Sequence, residues 1–284
     1  MKRKTISIFV IFMMFTVSLF SQDAIPQKVY SLVKEKQSVE WYKIQAELWG
    51  KQLTANPEDA YAWLNYYTAK RMLKIYGEGV THEDLNNFVL DLEKALPNSF
   101  EYHYIAYWNK GLSEMESHLN HLKKAQQLGP DRIELFDDLF TYYEVTRDVA
   151  KAKNVAKKWF ASNDISAGLY TWNYNMLEST DANAILITTG DNDTYPSLVM
   201  QYAKGIRTDV TVLNISMASI SGYQQGKFKE LGIPAMISKQ SDYICPISTF
   251  VFPFLLQLLL EAHEYIVNEM KTKRMAVARF FFFI

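Results

Sequence analysis

Cysteine is almost absent from this 284-residue chain, which has a single one, Cys245. A lone thiol excludes an intramolecular disulfide framework, so packing must carry the stability. Glycine and proline are sparse too, at 11 and 8 residues, which disfavours a turn-rich β-sandwich and suits packed helices. There is no excess of positive charge either. The formal net charge is −1, and it becomes −4 without Lys2, Arg3 and Lys4. Phosphate binding needs a basic face, so a nucleic-acid partner is not expected. Patterns of the G-x-S-x-G, P-loop, H-E-x-x-H and G-x-G-x-x-G types are missing, and no complete catalytic constellation stands out.

What the chain does have first is an export signal. Lys2, Arg3 and Lys4 precede an uncharged, mostly apolar run from Ile6 to Phe20, and Ser21, Gln22 and Asp23 follow. That order is the three-part form of a secretory signal peptide. Fifteen helical residues span roughly 22 Å, short of the roughly 30 Å hydrocarbon core. The expectation is therefore a cleaved signal over 1–22 and a periplasmic or cell-envelope location. The alternative is an inner-membrane anchor through an uncut segment. The style of this segment resembles that of exported proteins of Bacteroidota.

Aromatic residues are abundant, with 18 Tyr, 17 Phe and 6 Trp. Between residues 27 and 178 apolar residues recur at helical spacing, as in the stripe Ile133, Phe136, Leu139, Phe140 and Tyr143. Breaks fall at Asn56-Pro57, Gly77 to Gly79, Pro97, Gly129-Pro130 and Asn163, and Pro97, Pro130 and Asn163 are 33 residues apart. A period of that length signals stacked repeats. Tyr102, Ile105, Ala106, Ala125 and Pro130 mark one unit, and Phe136, Leu139, Tyr143 and Ala152 a second. A looser unit around Trp63 and Tyr67 precedes them. The pattern resembles the tetratricopeptide family, over about 57–166, with Phe140 standing where a small residue is usual. The resemblance implies a helical-hairpin solenoid that binds a protein or peptide partner. Tyr61, Trp63, Tyr102 and Trp108 are candidates for lining its groove, although most such aromatics serve as core filler.

After Thr180 the texture changes. Ala184 to Thr189 reads as a short buried strand, Ser197 to Lys204 as a helix opened by Pro196, and Asp209 to Ile215 as a second strand. Strand, helix and strand at this spacing make a parallel βαβ unit. The fold class expected is thus mainly α, a helical-hairpin solenoid followed by a small α/β unit. The domains expected are a signal at 1–22, repeats at 23–178, α/β at 180–240 and an apolar tail at 241–284.

The loop between the first strand and the helix, Gly190-Asp191-Asn192-Asp193-Thr194-Tyr195-Pro196, is the best candidate for chemistry. With the later Gly205-Ile206-Arg207-Thr208-Asp209-Val210 it is similar to the soluble module of Bacteroidota membrane glycosyltransferase-like proteins. That resemblance implies an accessory role beside envelope membrane proteins. Asp191, Asn192, Asp193 and Thr194 offer hard oxygen ligands suited to Mg²⁺ or Ca²⁺, at the strand end where α/β units place ligands. The competing reading is a strand-to-helix turn whose acids cap the helix. The opening also resembles the D-x-D-x-T of haloacid dehalogenase phosphotransferases, but Thr194 comes one place early and Pro196 intrudes.

Lesser candidates are Glu114, His118 and His121, which share a helix face and suit zinc or, more simply, a solvated surface. Cys245 lacks a paired histidine and reads as incidental. The apolar stretch from Ile247 to Leu260 and the closing Phe280 to Ile284 fit the α/β unit poorly. One expectation is that the native α/β domain is longer.

Overall fold

The computed structural model describes residues 25–31, 34–110, 115–218 and 220–232. The expected signal at 1–22, the tail at 241–284, Glu114 and Cys245 lie outside them. Among the described residues the protein is mainly helical, with eleven α-helices and one two-stranded parallel sheet. It divides into two compact units, Met1–Pro130 and Asp131–Ile284.

The first unit holds α1 (Val39–Ala55), α2 (Ala60–Ile75), α3 (His82–Ala95), α4 (Phe100–Asn109) and α5 (Met115–Leu128). The breaks read in the sequence all lie between helices, and small polar residues start the next one. The side chains of Ser38, Asp59 and Ser99 accept from the backbone N–H groups of Trp41, Ala62 and Tyr102. Thr81 and Asp84 form a reciprocal capping box. Helix α1 packs on α2, and α4 on α5. Tyr42, Ala62, Ala69 and Met72 are buried between the first two. Ile105 and Ala125 are fully buried between α4 and α5.

The second unit opens with a 3₁₀ turn (Ile133–Leu135) and continues with α6 (Phe136–Val145), α7 (Val149–Ser162) and α8 (Ala167–Glu178). Then come β1 (Ile185–Thr188), α9 (Asp191–Lys204), β2 (Thr211–Asn214), α10 (Ile215–Ala218) and α11 (Ser221–Leu231). The strands pair in register from Ile185 opposite Thr211 to Thr188 opposite Asn214. Helix α9 packs on α7 and α8 as well as on β2. The compositional change near residue 180 is thus a change of secondary structure, while the change of packing unit falls at 130/131. Phe140 shows why: its ring lies 6.0 Å from Trp159, 6.2 Å from Tyr195 and 5.7 Å from Tyr202, joining α6, α7 and α9 in one aromatic core.

One polar contact sits within the first unit's helix packing. His103 on α4 and His121 on α5 meet with their Nδ1 atoms 2.9 Å apart. One nitrogen must donate and the other accept, so the contact cannot survive full protonation of both rings. Partial burial pushes both imidazoles below their usual pKa, helped by the opposite ring and Lys124 for His103, and by Lys110 for His121, against the pull of Glu93. Groups with depressed folded pKa values favour folding above their ordinary value and withdraw that support below it. The first unit should therefore melt at a lower temperature at pH 5.5 than at pH 7.5, and His103→Gln should flatten the dependence. Melting curves at the two pH values check this.

Candidate functional site

The candidate loop follows β1, and its hydrogen bonds show what each residue does. Asp193 turns back on the chain before it. Its Oδ1 accepts from Gly190 N at 2.8 Å and its Oδ2 from Thr189 N at 3.0 Å. The third residue of α9 thus satisfies two backbone donors ahead of the helix, half of a capping box. Thr194 is fully buried. Its hydroxyl donates to Gly190 O (2.6 Å), accepts from Asn214 Nδ2 (2.9 Å) and lies 2.7 Å from Thr188 Oγ1. Asn214 Oδ1 accepts in turn from Met217 N. Thr188 and Asn214 end β1 and β2 in register, so this polar knot ties the carboxyl ends of both strands to α9.

The helix starts at Asp191, not at Pro196 as its proline suggested. Asp193 makes the earlier start favourable, and it places Pro196 inside the helix. A proline there has no N–H for the carbonyl four residues back, and that carbonyl belongs to Asn192. Asn173 on α8 supplies the donor instead: its Nδ2 lies 2.8 Å from Asn192 O and 2.9 Å from Leu169 O. Its Oδ1 accepts from the buried Ser197 hydroxyl at 2.7 Å. Asn173 has no solvent exposure. It was missed in the sequence, where the available signal is indirect: an interior helical proline announces an orphan carbonyl, but not the side chain that serves it.

Asp191 differs from its neighbours. Its residue is exposed, and no hydrogen bond of its carboxylate stands beside those of Asp193. Desolvation, with Asp193 nearby, raises its pKa. The side chain of Asn192 also faces solvent. The loop therefore brings Asp191 and Asp193 together at the sheet's carboxyl end, but commits Asp193 to the backbone. Among the described residues no group of three His, Cys, Asp or Glu is placed to hold a metal ion. That applies equally to His118 and His121, the latter being engaged with His103.

Arg207 and Asp209 lie at the opposite, amino end of the strands. The Arg207 guanidinium bonds both oxygens of Asp209 (2.9 and 3.0 Å) and donates to Leu177 O, Thr180 O and Asp181 O. It closes the end of α8 while bracing the start of β2. This bond to Arg207 holds the Asp209 carboxyl down at about 2.

A second polar cluster had no sequence motif. Glu144 on α6 is fully buried. It accepts from Arg147 Nη1 (2.6 Å) and Tyr202 OH (2.6 Å), and Lys227 Nζ lies 3.1 Å away. Burial would raise its pKa, but Lys227 and Arg147 more than offset that and hold it low. Arg147 continues to Glu230 at 2.6 Å. Its side chain runs across Gly226, where an added Cβ would come 2.7 Å from Arg147 Cγ. This charge-balanced network joins α6, α9 and α11.

The aromatic groove candidates are dispersed through the first unit. Trp63 lines a groove of about 660 Å³ with Tyr66 and Lys70 of α2, between Gly50 and Leu53 of α1 and Asp84, Asn87 and Phe88 of α3. Tyr61 packs its ring against Trp49 at 5.4 Å. Tyr102 is buried, and burial with the Glu93 hydrogen bond pushes its phenol up to about 12. Trp108 stacks beneath the Arg71 guanidinium at 4.5 Å.

Residues 170–231 match the family described as TMEM260-associated domain 2. The matched segment begins within α8 and runs through the loop, both strands and α11. It thus includes Asn173, Asp193, Arg207 and Lys227. No curated protein and no solved structure matches the chain. No helix among the described residues is long and apolar enough to cross a membrane.

If Asn173 serves the carbonyl that Pro196 orphans, the two substitutions must be coupled. Asn173→Ala should cost about 2–3 kcal/mol, the expense of buried unsatisfied groups. In a Pro196→Ala background, where residue 196 regains its own N–H, the same change should cost clearly less. Urea unfolding of the four proteins of the cycle measures the difference.

Proposed function

We propose that this chain is an exported, non-catalytic scaffold of the cell envelope, with tetratricopeptide-like hairpins that bind a peptide segment of a partner protein. In this reading the α/β unit is an accessory module for membrane-embedded glycosyltransferase-like proteins. The observation that carries the reading is the groove over Trp63, Tyr66 and Lys70. Its three aromatic rings, Trp63, Tyr66 and Phe88, are only half-buried. Such rings anchor apolar side chains at low entropic cost. Lys70 on the floor and Asp84 and Asp91 on the α3 wall supply charge of both signs to orient a peptide. The N-terminal basic and apolar run supports the location, and the match over 170–231 supports the accessory role.

A photo-crosslinking residue at Asn87 tests this in cells of the source organism. It should yield one discrete adduct that the same residue at Leu90, off the groove, does not. Lys70→Glu should diminish that adduct without lowering the melting temperature. Equal labelling from both positions would count against the groove.

A second reading makes the Asp191/Asp193 loop the site of a glycan- or phosphate-related enzyme or ligand sensor. It is favoured by Asp191, an exposed carboxyl with a raised pKa at the carboxyl end of a parallel strand. Thermal-shift titration with Mg²⁺, Ca²⁺ and sugar nucleotides separates the two. The scaffold reading expects no shift that Asp191→Ala removes. It expects Asp193→Ala to cost about 1 kcal/mol through the lost cap alone.

A further inference from the structure

Residues 25–31 precede the first helix and form no regular element, yet the first hairpin holds them by their backbone. Gln27 N donates to Gln45 Oε1 at 2.6 Å, and Gln27 O accepts from Trp49 Nε1 at 2.8 Å. Two side chains four apart on α1 therefore take both polar groups of a single backbone residue. Two residues further along, Val29 N donates to Asn65 Oδ1 of α2 at 2.7 Å. The Val29 side chain, 6% exposed, packs in the cluster that contains Tyr42, Ala46, Trp49, Ala62 and Ala69. By contrast, Ile25 is 82% exposed and Tyr30 39%.

The receiving side chains are organised for this task. Gln45 and Asn65 are almost wholly buried, at 3% and 2% exposure. Asn65 Nδ2 is held by Tyr61 O at 2.7 Å, which fixes the amide and aims its oxygen at the strap. Buried amide oxygens are costly unless a donor reaches them. A helical face that carries two of them beside an indole N–H is complementary to an extended backbone. It reads N–H and C=O at one residue, N–H two residues later, and one aliphatic side chain.

We propose that this α1–α2 face is a receptor for an extended peptide, occupied here in cis by residues 25–31. Its ligand in trans is an extended segment of a partner polypeptide with a β-branched aliphatic residue at the position of Val29. Recognition is otherwise through the backbone and tolerates variation at the outward positions. Lys34 N and Glu35 N donate to Ser31 O, and Gln37 N donates to the Tyr42 hydroxyl at 3.1 Å, so the chain between strap and α1 stays close to α1 and presents the strap to its face intramolecularly. The strap thus acts as a built-in competitor that a partner must displace. The strap's polar partners Gln45, Trp49 and Asn65 do not line the groove, although Leu53, Trp63 and Tyr66 of the groove share its apolar cluster with Val29. Failure of either proposal leaves the other standing.

The test uses the full chain with a specific protease site inserted between Lys34 and Glu35, cut after folding. A labelled peptide with the sequence of residues 24–31 is added in excess and followed by fluorescence anisotropy. The cut protein should take it up saturably with one-to-one stoichiometry, and the uncut protein should not. A Val29→Asp peptide, or Gln45→Ala in the protein, should weaken uptake roughly tenfold or more, the effect of losing one buried contact. Three results overturn the proposal: loss of helicity on cutting, which makes the strap part of the core; a cut strap that never exchanges; and equal uptake of the Val29→Asp peptide.

Discussion

The arrangement of the second unit hangs on one missing hydrogen. Pro196 lies inside α9 and cannot serve the carbonyl of Asn192. Asn173 reaches across from α8 to do so, and accepts the Ser197 hydroxyl with its other end. A defect within one helix is thereby converted into a bond between two. Because Asn173, Ser197 and Thr194 are all fully buried, none of these groups can fall back on water. Helices α8 and α9 must meet in one register or leave several polar atoms stranded. Thr194 then passes the constraint to the sheet through Thr188 and Asn214.

On the other side of α9 the constraint is ionic. Tyr202 carries it to Glu144, and Glu144 gathers Arg147 and Lys227. Replacing Glu144, Arg147 or Lys227 leaves an unbalanced charge in a largely buried site, and replacing Tyr202 removes a donor from the Glu144 carboxylate, so the cluster fixes geometry more than it adds net stability. Arg147 adopts a left-handed backbone at φ 58°, and Gly226 leaves its side chain room to pass. The family match from residue 170 to residue 231 takes in Asn173, the loop and Lys227, but Glu144 and Arg147 precede it. The matched segment therefore rests on ion partners contributed by α6 and its C-terminal turn.

Much of this was legible in the sequence. Helical periodicity and the breaks at Pro57, Pro97, Pro130 and Asn163 locate the helices, because proline disfavours a helical conformation in the residue before it and Asn163 takes the left-handed cap conformation, φ 57°, more readily than most residues. The β-branched content of Ala184 to Thr189 and of Asp209 to Ile215 points to two strands, which form over the shorter spans Ile185–Thr188 and Thr211–Asn214. What escaped was long-range. Pro196 looked like a helix start because prolines favour first turns, and only the Asp193 cap moves that start to Asp191. Asn173, Glu144 and Lys227 are unremarkable letters until the chain brings them together over 19, 58 or 83 residues. The candidate loop was legible as a motif, but motif and turn share the same alphabet of Asp, Asn and Thr. The hydrogen bonds of Asp193 and Thr194 assign those two to the turn, and Asp191 takes no part in them. Tyr61, Trp63, Tyr102 and Trp108 were alike in sequence, and their settings diverge because burial depends on the neighbouring helices.

Arg207 closes a circle of about thirty residues, from the last carbonyls of α8 to the carboxylate of Asp209. In a chain with one cysteine, this fork of donors acts as a staple. A covalent bridge would need an oxidant to form and would hold regardless of solvent conditions. A guanidinium staple forms as soon as the two ends meet, in any redox environment. It can be loosened by strong acid or concentrated salt without breaking a bond, and it closes again when they are withdrawn. The α/β unit is thus fastened in a way that makes its assembly independent of disulfide-forming machinery.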